Sequence, residues 1–277
     1  MRSAFFDRAA RRFRRAQWLA DSLGFVPRKL PSRLGLRRGP RVLATSVPKS
    51  GTFLLERALC LHPDMYRQLR RTVFDSQVRS DEEFRALIHS VLPGQVAMTH
   101  VAFSPAYPEM LGARGVKTVL MVRDPRDIVL SHAHYAATTE RHWLFRRYRE
   151  ADPMQRLRMS IEGIPDAGLR SVGETLRVYE GWLEAADLVV RFEDLVGDAG
   201  GGDDRRQRKV LDDLYRVLGV DRSQAILDHV QPRVFSRYAN TFRRGSVGQW
   251  REAFDDSIAD LFQRVAGEEL VRYGYEV

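Results

Sequence analysis

The sequence predicts an α/β fold, a three-layer sandwich in which helices flank a central, mainly parallel sheet. Four short apolar segments have the length and composition of buried strands, namely residues 42–46, 95–99, 116–122 and 188–192. Residues at helical spacing separate these segments, as the connections between parallel strands require. With 44% hydrophobic residues in a chain of 277, one sizeable core can form.

The first predicted strand leads into the stretch of sequence that is richest in chemical information. Residues 41–63 have the pattern of a buried strand, a tight turn and an apolar helix in immediate succession. The turn consists of Pro48, Lys49, Ser50, Gly51 and Thr52. Free backbone N–H groups and the positive end of the helix dipole converge at such a turn, so it can hold an anion. Lys49 adds a mobile charge, and Thr52 adds a hydroxyl group.

The turn alone leaves several interpretations open. A P-loop nucleotide kinase or NTPase places its lysine after the last glycine, as GxxxxGK[ST], whereas Lys49 here precedes the glycine of the turn. A purely structural interpretation is a strand-to-helix turn with a solvated lysine. A non-catalytic protein that binds polyanions through a basic surface is a further alternative.

Composition favours anionic partners without identifying one. Lysine and arginine (45) exceed aspartate and glutamate (36), which gives a formal net charge of +9. This balance suits an anionic small molecule, but nucleic acid or an anionic membrane surface also fits it. The single cysteine, Cys60, cannot form an intramolecular disulfide, so we expect a buried thiol and a reducing, cytoplasmic location. No apolar run reaches the roughly eighteen residues of a membrane span, so no transmembrane segment is expected.

Residues 1–40 differ from the rest of the chain and are predicted to form a separate amino-terminal part. Arginines alternate with apolar residues in a roughly helical rhythm over residues 2–19, and residues 27–40 have the composition of a linker. Such a basic amphipathic helix can contact a membrane surface or a partner, or it can pack on the body with its arginines in solvent. Residues 41–277 are expected to form a single domain.

Two later strands are followed by polar residues with potential functions. His100 follows the strand at 95–99, and Arg123 follows the strand at 116–122. Ligand sites in open α/β sheets gather at the carboxyl ends of parallel strands, so both side chains are well placed for chemistry. The Asp-Pro-Arg-Asp sequence after Arg123 suits the start of a helix. Ser131 on that helix can face the same edge of the sheet, and together with Arg123 it can bind a phosphate.

The remaining segments complete the expected architecture. Residues 64–80 are polar and lack a regular pattern, so no helix or strand is predicted there. Residues 139–188 are mainly helical by pattern and can cover a binding pocket. Near the carboxyl end, residues 242–251 combine arginines with glycines and suit a mobile clamp for an anion. An amphipathic helix is predicted from residue 254 onwards.

Several of these segments together resemble the PAPS-dependent sulfotransferases, which use 3′-phosphoadenosine 5′-phosphosulfate (PAPS) as the sulfuryl donor. The turn PKSGT resembles the loop that binds the 5′-phosphosulfate in that family, and RDPRDIVLSHAHY resembles the element that binds the 3′-phosphate. VVRFEDL is similar to a segment whose aromatic residue lies near the adenine. FRRGSVGQW is similar to the carboxyl-terminal RKGxxGxWK sequence of the family.

The resemblance implies a P-loop-like sulfotransferase fold and a set of nucleotide-binding residues. These residues are Lys49, Ser50, Gly51, Thr52, Phe53, Arg123, Ser131, Phe192, Arg243, Arg244 and Gly245. The implied reaction moves a sulfuryl group from PAPS to a hydroxyl of a small-molecule, lipid or carbohydrate acceptor and releases adenosine 3′,5′-bisphosphate. In that reaction Lys49 would neutralise the leaving oxygen, His100 would take the proton of the acceptor hydroxyl, and no metal is needed.

The sequence departs from the family pattern at positions that affect these expectations. Met98 stands where a lysine is usual, and Leu54 stands where cytosolic members carry an adenine-stacking tryptophan. The absence of that tryptophan, together with the LHPD sequence that ends at Asp64, makes the helix after the turn look closer to carbohydrate-type or bacterial sulfotransferases, some of which use a carboxylate base. Glu56 and Asp75 therefore remain alternatives to His100 as the base.

The other histidines do not suggest a metal site. His132 and His134 lie two residues apart on a predicted helix, so they point to different faces and cannot chelate as an i, i+4 pair can. A solvated or packing role is expected for both. Neither a metal nor nucleic acid is an expected partner, and the acceptor and the oligomeric state stay open.

Overall fold

The computed structural model describes residues 39–68, 72–236 and 246–276. The basic helix and most of the linker predicted within residues 1–40 lie outside the described residues. Arg243, Arg244 and Gly245 of the predicted carboxyl-terminal clamp also lie outside them. The described chain is built around one six-stranded sheet.

The sheet is parallel throughout its described strand pairs. Its strands are β1 (Arg41–Ser46), β2 (Tyr66–Arg67), β3 (Val73–Phe74), β4 (Gln95–His100), β5 (Val116–Val122) and β6 (Leu188–Arg191). The strand order is β2-β4-β1-β5-β6, and β3 pairs with the same strand β4 as β2 does. The four longer strands coincide with the four predicted segments to within one residue at each end. The predicted α/β class with a mainly parallel central sheet is confirmed.

The two shortest strands were not predicted from the sequence. β2 pairs with the start of β4 and β3 with its end, where Phe74 lies opposite His100. Each strand is two residues long, which is too short to carry the alternating pattern that identifies a strand. Pairing with β4 therefore decides their conformation.

Strand β1 lies at the centre of the sheet, between β4 and β5. Val42 and Ala44 contribute to the core on one face, while Leu43 contributes to the core on the other face. None of the three side chains is exposed. Burial on both faces explains why the sequence of β1 is an unbroken apolar run rather than an alternating one.

Thirteen α-helices of the described residues form the outer layers. They are α1 (Thr52–Cys60), α2 (Asp81–His89), α3 (Tyr107–Arg114), α4 (Pro125–Thr138), α5 (Phe145–Glu150), α6 (Pro153–Glu162), α7 (Val172–Glu180), α8 (Trp182–Ala185), α9 (Phe192–Leu195), α10 (Asp204–Leu218), α11 (Gln224–Val234), α12 (Trp250–Ala253) and α13 (Asp256–Arg272). Helices α1, α9, α10 and α11 pack on one face of the sheet. Helices α2 to α8 and α13 pack on the other face.

Local sequence explains how these helices begin. Asp124 accepts a hydrogen bond from Arg126 N–H at the start of α4, as the predicted N-cap requires. Asp255 accepts one from Ile258 N–H at the start of α13, which begins two residues later than the predicted residue 254. Within the described residues, no helix combines the length and apolar composition that a membrane span requires.

The topology creates a crevice at the carboxyl end of β1. The chain leaves β1 through α1 towards β4 on one side, and β5 lies on the other side. This reversal of direction is the point at which open α/β sheets bind ligands. The turn after β1, His100 at the end of β4 and Arg123 after β5 are therefore brought to one edge of the sheet.

Candidate active site

The turn between β1 and α1 has an unusual backbone conformation. Lys49 has a φ of 72° and Gly51 a φ of 102°, both in the left-handed region that favours glycine. A Cβ atom on Gly51 would also lie 2.6 Å from Cδ2 of Phe192. Glycine at position 51 is therefore required by the conformation of the turn and by the approach of the Phe192 ring.

Ser50 fixes the turn to the sheet. Its hydroxyl donates to Val47 O at 2.6 Å and lies 3.0 Å from Met121 O in β5, and its backbone N–H donates to Val47 O at 3.1 Å. The side chain is fully buried. These bonds occupy the hydroxyl and the N–H of Ser50, so this residue supports the turn from within, whereas the sequence predicts a direct contact with the nucleotide.

The amino terminus of α1 is open for an anion. Gly51 is the N-cap residue and provides no side-chain hydrogen bond to the first turn of this nine-residue helix. The first N–H groups of a helix have no intrahelical partners. The N–H groups of Thr52 and Phe53 and the helix dipole can therefore bind a phosphate or sulfate group.

Lys49 lies in the same turn and lines the cavity beside the start of α1. Its Nζ atom lies 3.6 Å from the centre of the Tyr135 ring, in a cation–π contact. Burial, together with the positive charge of Arg123, lowers the pKa of Lys49 from 10.5 to about 8. The charged ammonium group thus lacks a counterion among the described residues that would offset its desolvation, and an anionic ligand would provide one.

Arg123, which follows β5, is a second cation that lines the cavity. One guanidinium nitrogen, Nη2, donates to Asp127 at 3.3 Å and to the backbone oxygen of Ser246 at 2.9 Å. The guanidinium carbon lies 4.1 Å from the centre of the Phe192 ring. The Nε atom is buried and has no hydrogen-bond partner in the described part of the chain. An unsatisfied buried donor on a cation is suited to an anion such as phosphate.

The ring of Phe192 packs against the guanidinium group of Arg123. Its side chain is buried, since it packs against Gly51 and carries the Arg123 guanidinium on its ring. These neighbours leave little of the ring open to the adenine contact that the sequence motif implies. That contact stays a prediction, whereas the support of Arg123 and of the turn follows from the geometry.

Asp127 joins the carboxyl-terminal segment to α4. Its carboxylate accepts hydrogen bonds from Gly248 N–H at 2.9 Å and Trp250 N–H at 3.0 Å, in addition to the bond from Arg123. Asp127 is buried, and these three hydrogen-bond donors stabilise its negative charge. The described end of the predicted clamp, Ser246 to Trp250, is thereby held against Arg123.

His100 has a defined tautomer. Its Nδ1 atom lies 2.8 Å from the backbone oxygen of Ser46, and since a carbonyl oxygen only accepts, Nδ1 carries the proton. Nε2 therefore carries the lone pair, which faces the hydroxyl of Thr52 at 3.5 Å. Burial lowers the pKa of His100, the hydrogen bond with Ser46 opposes that shift, and the charge of Lys49 adds to it. The ring is consequently neutral near pH 7 and can accept a proton at Nε2.

The two alternative carboxylates have less suitable surroundings. Glu56 lines the same cavity, but it forms an ion pair with Arg67 at 2.9 Å. Burial raises the pKa of Glu56, and Arg67 opposes that shift. Asp75 accepts a hydrogen bond from Ala102 N–H at 3.1 Å and lies 3.7 Å from Arg170. Both carboxylates are thus already paired, and Asp75 does not line the cavity.

A cavity of about 720 Å³ connects these groups. Twelve residues were predicted to bind the nucleotide or to act in catalysis, nine of them lie in the described part of the chain, and eight of these nine line the cavity. Those that line the cavity are Lys49, Gly51, Thr52, Phe53, His100, Arg123, Ser131 and Phe192. Ser50 lies behind the wall, and Arg243, Arg244 and Gly245 are outside the described residues. The fold thus brings together residues from the carboxyl ends of β1, β4, β5 and β6 and from helices α1 and α4.

Sequence reasoning missed two residues of this site. Tyr135 contacts the ammonium group of Lys49, and Asp127 contacts Arg123. The sequence did contain a signal for both residues. Asp127 and Tyr135 continue the four-residue spacing of positions 123 and 131, and residues spaced in this way share one face of a helix. Arg123, Asp127, Ser131 and Tyr135 all line the cavity.

The described residues contain no group of three or more histidine, cysteine, aspartate or glutamate side chains that could hold a metal ion. Cys60 is buried in α1 as expected, with 4% of its surface exposed. The site therefore consists of an anion-binding turn, a buried arginine and a neutral histidine around one cavity. This arrangement defines a cleft of an α/β protein that is suited to a ligand with separate anionic groups.

Comparison with known proteins identifies the family. A family model described as the sulfotransferase domain matches residues 39–274. Since this match covers most of the 277 residues, the chain belongs to the sulfotransferase family. The family and the enzyme class predicted from the sequence motifs are confirmed. No curated protein sequence matched the chain.

Solved structures share the fold at low sequence identity. Mouse sulfotransferase SULT7A1 complexed with PAP superposes with a TM-score of 0.60 and 16% identity, over 86% of this chain and 90% of that chain. Retinol dehydratase in complex with androsterone and the inactive cofactor PAP superposes with a TM-score of 0.58 and 16% identity, over 85% of this chain and 81% of that chain. Both similarities support the assignment of the P-loop-like α/β fold.

Proposed function

We propose that the protein transfers a sulfuryl group from PAPS to a hydroxyl group of an acceptor and releases adenosine 3′,5′-bisphosphate. The observation that carries this proposal is that Lys49, His100 and Arg123, which lie at the carboxyl ends of three different strands, line one cavity. Its volume of about 720 Å³ accommodates a nucleotide and part of an acceptor. Membership of the sulfotransferase family supports the same class of reaction.

The two ends of the nucleotide would be bound by different parts of the site. The N–H groups of Thr52 and Phe53 at the start of α1 would bind the 5′-phosphosulfate. Arg123, through its unpartnered Nε, and the hydroxyl of Ser131 would bind the 3′-phosphate. The segment that contains Arg243, Arg244 and Gly245 would add charge to the same end, because Asp127 holds the neighbouring residues against Arg123.

Lys49 and His100 would carry the chemical step. His100 takes the proton of the acceptor hydroxyl at Nε2, and the acceptor oxygen then bonds to sulfur as the bond from sulfur to the bridging oxygen breaks. Lys49 neutralises the negative charge that develops on that bridging oxygen. Desolvation around Lys49 strengthens this electrostatic interaction, since the effective dielectric constant inside a protein is low.

Ligand selectivity tests the nucleotide assignment. We expect adenosine 3′,5′-bisphosphate to raise the melting temperature of the protein more than AMP or Mg-ATP does, because two separate phosphates match the two ends of the cavity. Arg123→Gln should remove most of the preference for the bisphosphate over AMP, while Lys209→Ala, at an exposed lysine on α10, should not change it. A preference for Mg-ATP would instead support a nucleotide kinase and contradict this proposal.

The base assignment has its own test. We expect His100→Gln to lower the turnover number by about 10²–10⁴-fold with little loss of adenosine bisphosphate affinity, since a positioned base typically contributes that factor. Turnover is measured with radiolabelled PAPS and fractionated host extracts, which also identifies the acceptor through its labelled product. His134→Gln, at an exposed position of α4, is the control. Turnover within a few-fold of the parent protein would exclude His100, and a large loss in Glu56→Gln would then assign the base to the carboxylate.

Two broader expectations from the sequence also remain proposals. We propose a cytoplasmic location, with the basic segment of residues 1–40 either packed on residues 41–277 or in peripheral contact with an anionic membrane surface. Sedimentation with vesicles of anionic and neutral lipids distinguishes these two alternatives, since electrostatic attachment requires the anionic lipid and weakens with salt.

A further inference from the structure

A second set of imidazole groups lines the same cavity. His132 of α4 and His142, which follows that helix, have ring centres 5.6 Å apart. Both lie beside helices α5 and α6, in the part of the chain that covers the cavity. Neither residue has a role in the mechanism above, and the sequence predicts only a solvated or packing role for His132.

The hydrogen bonds around His132 determine its tautomer. Tyr148 is fully buried, and its hydroxyl lies 3.0 Å from the hydroxyl of Ser160. The Tyr148 O–H has no other partner in the described part of the chain, and a buried hydroxyl donor that lacks an acceptor is costly, so it donates to Ser160. Ser160 must then place its own hydroxyl proton, and the acceptor left for it among its described contacts is His132 Nδ1, at 3.0 Å, so Ser160 donates there.

Because Nδ1 of His132 accepts, its proton lies on Nε2. No hydrogen-bond partner of Nε2 occurs among the described residues, and the partly exposed ring lines the cavity. His142 has the same tautomer, since its Nδ1 accepts a hydrogen bond from Leu144 N–H at 3.3 Å. Burial, with the positive charge of Lys49 and the neighbouring His142, lowers the pKa of His132 to about 3, so the ring offers a neutral N–H donor.

The cavity thus contains imidazoles with opposite roles. His100 faces it with a lone pair on Nε2, whereas His132 faces it with an N–H group. The positive charge of Lys49 lowers the pKa of both rings. The cavity therefore contains one imidazole, His100, that can remove a proton, and another, His132, that can only donate a hydrogen bond to a ligand.

The surfaces around these imidazoles suit a flat, apolar ligand. Trp143 stacks on His142 with ring centres 4.2 Å apart, and Tyr135 packs edge-on against the same imidazole at 5.5 Å. Phe74 lies 5.3 Å from the His100 ring. All of these rings line the cavity, and aromatic surfaces of this kind favour the rings of a ligand.

We propose that the sulfuryl acceptor is a largely apolar, aromatic hydroxyl compound that also carries a hydrogen-bond-accepting oxygen, such as a ketone, and that His132 Nε2–H binds this oxygen. This inference rests on the sulfotransferase activity proposed above and assigns a substrate class to the same site. His132 is a specificity residue in this assignment, and Ser160 and Tyr148 position it. A ketone or ether oxygen fits because it accepts a hydrogen bond and brings no proton that needs a partner.

The tautomers can be measured directly in the full-length protein. Long-range proton–nitrogen NMR spectra of ¹⁵N-histidine-labelled protein distinguish Nδ1–H from Nε2–H imidazoles, and the His132→Gln and His100→Gln spectra assign the two signals. We expect His132 as the neutral Nε2–H tautomer and His100 as the neutral Nδ1–H tautomer. An Nδ1–H tautomer or a charged ring at His132 at neutral pH would overturn the inference.

A matched pair of ligands tests the substrate class without turnover. Calorimetry on the protein saturated with adenosine 3′,5′-bisphosphate compares 4-hydroxybenzophenone with 4-benzylphenol, which replaces the ketone by a methylene group. Measurements at about pH 6.5 keep both phenols un-ionised. We expect the ketone to bind about three- to tenfold more tightly, as one neutral hydrogen bond provides.

Variants then assign that preference to His132. The preference for the ketone should disappear in His132→Phe and remain in part in His132→Gln, which keeps an N–H group. It should be unchanged in His134→Phe, at an exposed position of the same helix. Equal binding of the two ligands by the parent protein, or a preference that survives in His132→Phe, refutes the role of His132. Bisphosphate binding without affinity for either phenol refutes the substrate class and leaves the sulfotransferase proposal intact. Failure to bind the bisphosphate refutes the proposed function instead.

Discussion

The ionisation of Lys49 should control nucleotide affinity in the alkaline range. Burial and the nearby charge of Arg123 lower the pKa of Lys49 to about 8 in the free protein. A bound 5′-phosphate favours the ammonium form and raises that pKa again. The affinity for adenosine 3′,5′-bisphosphate is therefore greatest well below pH 8 and falls as the pH rises through the pKa of Lys49 in the free protein.

The size of this effect follows from the pKa. Lys49 is about 90% charged at pH 7 and about 10% charged at pH 9, given a pKa of about 8. If the charged form binds, the apparent affinity falls about tenfold between these pH values, or about 1.4 kcal/mol. Binding at pH 8 should take up about half a proton, because half of the Lys49 side chains are neutral before the ligand arrives.

Other groups of the cavity do not produce the same profile. Arg123 stays charged throughout this range. The lowered pKa values of His100, His132 and His142 keep these rings neutral from pH 7 upwards. The pH dependence between pH 7 and pH 9 therefore reports on Lys49.

Calorimetry in buffers of different ionisation enthalpy measures both the affinity and the proton uptake. Lys49→Arg keeps a charge at every pH, so its affinity should not change between pH 7 and pH 9. Lys49→Met should bind weakly at both pH values, and Lys209→Ala should behave as the parent protein. A parent protein that binds equally well at pH 7 and pH 9 without proton uptake, or the same slope in Lys49→Met, would refute the reasoning.

Two further predictions concern the construction of the site. Gly51→Ala should lower the free energy of unfolding in urea by about 1–3 kcal/mol, because it combines a φ of 102° with a Cβ 2.6 Å from Phe192. Gly112→Ala in α3 meets no atom within 4 Å and should be neutral or stabilising by up to about 1 kcal/mol, and equal effects of the two substitutions would contradict this account. Asp127→Asn should weaken adenosine bisphosphate binding in calorimetry, because it replaces the carboxylate that accepts the N–H groups of Gly248 and Trp250. Unchanged affinity would show that the carboxyl-terminal segment is held by other contacts.

For helix α4 and the residues before it, the sequence predicted some of the site residues and not others. The pattern predicted Arg123 and Ser131 as phosphate ligands, and the structure places both at the cavity. Asp127 and Tyr135 share their face at intervals of four residues, but a carboxylate near a helix start and an aromatic residue on a helix usually have structural roles. Their contacts with Arg123 and Lys49 became visible only when the helix was placed beside the turn.

The short strands β2 and β3 show the opposite limit. Their sequence carries no periodic signal, and they exist because the edge of β4 offers backbone hydrogen-bonding groups to a passing chain. The same segment places Phe74 beside His100. One wall of the cavity thus depends on an element that local sequence does not specify.

The sequence by itself determined the four main strands, the anion-binding turn and the motifs of the sulfotransferase family. These features depend on burial period and turn geometry, which neighbouring residues set. Tertiary structure alone decided the hydrogen-bond partners of His100 and His132, the lowered pKa of Lys49 and the attachment of the carboxyl-terminal segment to Asp127. The physical reason is that hydrogen-bond partners and desolvation come from residues distant in the chain, and these meet only when the helices close over the sheet.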